Sequence, residues 1–74
     1  MEDIWWKKLG SGTVTYTTSG EVGAGFVHNV SYERADVTTA TSRQTTRQLT
    51  REEVEALLAE DLARMFGSKR PPTP

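Results

Sequence analysis

Residues 50–66 carry the pattern that most restricts the fold, a capped amphipathic helix. Thr50 and Glu53 have the spacing of a capping box, and Leu49 with Val54 that of a hydrophobic staple. Glu52, Glu53 and Glu55 crowd the first turn, where free amides leave partial positive charge. Arg64, Lys69 and Arg70 lie towards the other end, and Gly67 supplies a stop. Advancing by about 100° per residue gathers Val54, Leu57, Leu58, Leu62, Met65 and Phe66 on one broad stripe. Such a stripe has to be buried, so the remainder of the chain must provide the surface that covers it.

That surface reads as a sheet. In residues 13–18, Val14 and Tyr16 alternate with threonines. In residues 26–34, Phe26, His28, Val30 and Tyr32 fall on one face, with Val27, Asn29, Ser31 and Glu33 on the other. Residues 19–21 and the glycines at 20, 23 and 25 supply the intervening turn, making these runs a hairpin. A third strand is expected over about residues 37–41, fading into a threonine-rich polar connection. At the front, Glu2 and Asp3 precede Ile4, Lys7 and Lys8 flank Leu9, and Gly10 follows. This is the order of signals of a short N-terminal helical segment, with a strand as the alternative. The expected class is therefore α+β: a three-stranded antiparallel meander, one C-terminal helix across a sheet face, and a short helical segment in front. Residues 1–67 are expected to form the single domain and residues 68–74, with three prolines, a disordered tail.

The chain has 74 residues, enough for one small core and too few for a deep enclosed cleft as well. It contains no cysteine, which removes disulfides, thiolate metal sites and thiol nucleophiles. Residues 1–9 lack the basic start and apolar run of a signal peptide, and no stretch has membrane-spanning length. A cytoplasmic protein is expected. The single histidine, without a second clustered acid–base partner, argues against catalysis, and no cofactor or metal is implied.

Four features stand out as candidate binding elements. Trp5 and Trp6 are adjacent, so they point in different directions, and tryptophan is a favoured interface anchor. The bland reading is that both clamp the N-terminal segment onto the domain. Arg43, Arg47 and Arg51 recur every four residues in a stretch without acids, a spacing that keeps them on one face of either a strand or a helix. Their forks suit phosphates or protein carboxylates. The simpler reading pairs them with Glu52, Glu53 or Glu55. Ala56, Ala59 and Ala63 line the helix side opposite the stripe, where a partner helix or second copy could approach, although alanine there also follows from helix propensity alone.

Asp61 falls inside the apolar stripe and, if buried, needs a partner. His28, Arg34 and Arg43 are the candidates, the alternative being a carboxylate that simply reaches solvent. A His28–Asp61 polar pair is the only acid–base arrangement the sequence suggests. The functional expectation is a non-enzymatic protein-interaction module of inhibitor or adaptor type, with another protein as partner and homodimerisation as a further expectation. Small phage and mobile-element proteins share this size and composition. The rival is a nucleic-acid-binding regulator using the three arginines.

Overall fold

The computed structural model describes residues 1–66, and of Phe66 only the backbone. Four strands, β1 (Glu2–Leu9), β2 (Gly12–Glu21), β3 (Gly25–Arg34) and β4 (Val37–Thr45), are followed by one helix, α1 (Arg51–Phe66). The strands form a single antiparallel sheet in the order β1-β2-β3-β4, so each pairs with its neighbour in sequence. The class is α+β as expected, and the architecture differs at the front: the meander has four strands, and no helical segment precedes it.

The charge order of β1 mimics helix capping, but its side chains obey a period of two. Asp3, Trp5 and Lys7 meet α1 through side-chain contacts, while Ile4 and Trp6 are exposed. Eight residues cannot hold a helix in water without tertiary support. As a strand, the same residues pair along their whole length with β2, from Glu2↔Ser19 to Leu9↔Gly12. Trp5 stacks on Tyr16 across that ladder with ring centroids 5.2 Å apart. The connection is a two-residue loop led by Gly10 at φ 62°, a position that suits a hairpin turn opened by glycine. Gly12, the next glycine, answers a different need: a Cβ there would lie 2.6 Å from the ring of Tyr32.

The β2–β3 hairpin has the expected facing, with Phe26, His28, Val30 and Tyr32 buried. β4 continues to Thr45 instead of fading near residue 41, because every residue from Val37 to Thr45 has a partner on β3. Low apolar content does not stop it: an edge strand needs the ladder and only light packing.

The helix spans the expected stretch, with Thr50 as its cap. The Glu53 amide donates to Thr50 Oγ1 at 3.1 Å, and the Thr50 amide donates to Glu53 Oε1 at 2.9 Å. Trp5, Val14, Tyr16, Val30 and Tyr32 from the sheet meet Val54, Leu58 and Met65 from the helix in one core, flanked by Leu9, Leu49 and Leu62. The Phe66 side chain, the stop at Gly67 and the tail over residues 68–74 lie outside the described residues. No described helix is long and apolar enough to cross a membrane.

Candidate interaction surface

The helix covers one side of the sheet, and polar contacts at its flanks fix its path. Near its start, Arg51 forks onto Asp3 with two 2.8 Å bonds, and its guanidinium lies 4.9 Å from the Trp5 ring centroid. One turn on, Glu55 accepts from Trp5 Nε1 and from Lys7 Nζ, both at 2.8 Å. The Lys7 ammonium, together with the indole donor, holds the Glu55 carboxyl below its usual range. Further along, Asp61 faces β4. The helix thus bridges the two edge strands.

Asp61 is 3% exposed and fully engaged. Arg43 donates to its two oxygens at 3.0 and 3.1 Å, the Thr41 hydroxyl donates at 3.3 Å, and Arg64 closes the cluster from the helix side. The Arg43 fork lowers its pKa against the opposing effect of burial. A bidentate guanidinium satisfies a buried carboxylate as few other groups can.

His28, wholly buried, bonds elsewhere. Its Nδ1 is 2.6 Å from Thr18 Oγ1 and its Nε2 2.8 Å from Thr45 Oγ1. Thr45 directs its only hydroxyl proton to the Arg47 carbonyl at 2.7 Å. Its oxygen must therefore accept from His28, which fixes the proton on Nε2 and leaves Nδ1 to accept from Thr18. Burial lowers the pKa of His28, so this neutral tautomer is the favoured state. His28 and Asp61 thus serve two separate networks, and neither nitrogen of the ring is free to take up a substrate proton. Among the described residues there is also no cluster of three or more histidine or acidic side chains able to hold a metal.

The arginine repeat spreads over three elements: Arg43 on β4, Arg47 in the connection and Arg51 opening α1. Each guanidinium forks onto a carboxylate, those of Asp61, Glu53 and Asp3 respectively. Beside Arg47 an open groove of about 560 Å³ is lined by Thr45, Leu49, Glu53 and Leu57. Ala56, Ala59 and Ala63 are all exposed on the outer side of the helix.

The tryptophans separate by face. Trp5 belongs to the core, whereas Trp6, 66% exposed, stands on the side of the sheet that the helix leaves open, beside Ile4 at 56%. Strand register lays out that side in rows. Trp6, Thr15, Ser31 and Ala40 form one, and Ile4, Thr17, Asn29 and Ser42 the next, with no charged residue in either. The flanking rows carry charge, at Lys8 and Glu33 on one side and Glu2 on the other. The place of Ile4 on this face escapes the sequence because residues 2–9 carry helix-like end signals and Ile4, Trp5 and Trp6 stand together without alternation.

The site is thus a sheet face with two uncharged central rows and an aromatic and an aliphatic side chain at one edge. Comparison with protein-family models, curated proteins and solved structures gave no match, so its reading rests on this chain's own residues.

Proposed function

We propose that this protein is a non-enzymatic interaction module, an inhibitor or adaptor, that binds another protein through the open face of its sheet. The observation that carries the proposal is Trp6, exposed beside Ile4 on a face whose central rows lack charge. Charge depletion at the centre, charged residues at the rim and an aromatic anchor are the composition of protein interfaces. The cysteine-free sequence is compatible with action in the reducing cytoplasm, and an origin in a phage or mobile element is an analogy of size.

The rival reading, phosphate binding by Arg43, Arg47 and Arg51, demands that each fork first leave its carboxylate, so the loss of an ion pair offsets every bond formed to phosphate. It predicts retention on DNA or RNA that collapses steeply with salt. Affinity capture separates the two. Trp6→Ala is expected to release the bound protein while thermal unfolding stays near wild type, and Arg47→Glu to leave capture intact. Capture insensitive to Trp6→Ala but abolished by Arg47→Glu, together with steep salt sensitivity, would transfer the function to the arginines.

A further inference from the structure

We infer that β1 is a homodimerisation strand, pairing antiparallel with β1 of a second copy about Trp5 to give a continuous eight-stranded sheet with both helices on the same side. Pairing at the strand edge sets Ile4 and Trp6 of the two copies side by side on the open face, so the test below turns on Glu2 and Lys8, which the binding reading does not use.

The free edge of β1 is built for pairing. Met1 and Gly20 exchange both main-chain bonds, each 3.0 Å long. Antiparallel ladders alternate, and the β1–β2 register runs without interruption. Asp3, Trp5, Lys7 and Leu9 therefore turn their amides and carbonyls towards β2. Glu2, Ile4, Trp6 and Lys8 turn theirs outward. Proteins normally blunt such an edge with proline, a bulge, a short strand or charged side chains. These eight residues have no proline or bulge, and their four charges, Glu2, Asp3, Lys7 and Lys8, are opposite in sign on the two sides of Trp5, so they repel a foreign strand yet match a second copy.

The order of residues supplies the specificity. With Trp5 opposite Trp5 of the second copy, Glu2 faces Lys8, Asp3 faces Lys7, and Ile4 faces Trp6, each pair occurring twice through the two-fold axis. The pairs Glu2–Lys8 and Ile4–Trp6 are the ones whose main chains point outward, so the register that matches charge also matches hydrogen-bonding groups and yields about eight main-chain bonds. Shifting the centre to Ile4 or to Trp6, the adjacent registers of the same facing, sets charged residues against Trp6, Trp5 or Ile4. Asp3 and Lys7 already hold Arg51 and Glu55, so their meeting extends a chain of alternating charge. Glu2 and Lys8 have no ion pair among the described residues. The other edge strand, β4, contains Arg43 as its only charge and cannot match itself in this way.

The test is solution mass by light scattering and sedimentation over a concentration series, with far-UV circular dichroism checking that each variant is folded. Wild type is expected to approach twice 8.2 kDa. Lys8→Glu places an acid opposite Glu2 of each partner, two like-charge pairs in the dimer, and is expected to weaken it by on the order of tenfold. The double exchange Glu2→Lys with Lys8→Glu restores opposite charges and is expected to restore the dimer. Ile4→Pro removes an outward amide and is expected to give a folded monomer. A wild-type monomer at every concentration would overturn the inference, as would a dimer that ignores Lys8→Glu or one that the double exchange fails to recover.

Discussion

At the scale of single residues, the buried imidazole of His28 and the buried carboxylate of Asp61 stand out in how the protein responds to pH. His28 has a pKa below its ordinary value of 6.5 because its burial disfavours the imidazolium. Between that lowered value and 6.5 the unfolded chain binds the proton and the folded one does not, so stability falls as pH drops below about 6.5 and the loss levels off beneath the folded pKa. The carboxyls of Asp3, Glu53, Glu55 and Asp61 are all lowered from ordinary values of 3.8 or 4.5, and their contribution disappears in a second, more acidic window. Denaturant unfolding between pH 7.5 and 5 should therefore show a slope that His28→Gln removes, whatever that variant does to absolute stability. The acid loss below pH about 4 should remain.

Asp61 invites a second comparison. Arg43→Ala strips a buried carboxylate of its fork, whereas Arg47→Ala frees a half-buried Glu53 that water still reaches, so thermal unfolding should drop clearly for the first and hardly for the second. Helical projection alone marks Asp61 as out of place in an apolar stripe. Choosing Arg43 over His28 or Arg34 needs the strand register, which no single-residue pattern contains. The same is true of the proton on His28: its location follows from Thr45 and Arg47, on elements brought together only by folding.

The elements divide by how local their signals are. Helix α1 is legible because cap, staple and stripe lie within a few residues of one another, and Thr50 and Glu53 bond as their spacing implies. Replacing Leu58 by alanine should cost about 2–5 kcal/mol, read as a fall in unfolding temperature of about 4–8 °C per kcal/mol for a domain of this size. Thr50→Ala should cost about 1 kcal/mol. Strand β1 is the opposite case. Acids before and lysines after an apolar centre satisfy helix-end rules, yet Trp5 finds Tyr16, Glu55 and Arg51 only from an extended backbone. Those partners lie far along the chain. Likewise β4 gains its length from the β3 ladder, a contribution invisible in its own threonine-rich composition.

For the molecule as a whole, the helix divides the sheet into a packed side and an open side, and the charge asymmetry along the chain is largely consumed in holding that arrangement. The base-rich and acid-rich stretches meet as Arg43–Asp61 and Arg47–Glu53, while Arg51 reaches back to Asp3. A polarity that suggests two partner surfaces in the sequence becomes a set of internal ties. The large apolar side chains left exposed are Trp6, Ile4 and Val27 on the open face, with Met1 ahead of β1 and Val22 in the β2–β3 turn, and Trp6 with Ile4 is the pair that stands side by side on one strand.

Photo-crosslinking with a reactive side chain placed singly at Thr15, Ser31 or Ala59 tests that conclusion most directly. The first two lie on the open face in the row of Trp6, and the third on the outer helix side. Adducts to a protein partner at Thr15 and Ser31, absent at Ala59 and lost when Trp6→Ala is added, are the expected result. Adducts confined to Ala59, or adducts at Thr15 and Ser31 that ignore Trp6→Ala, would contradict the account.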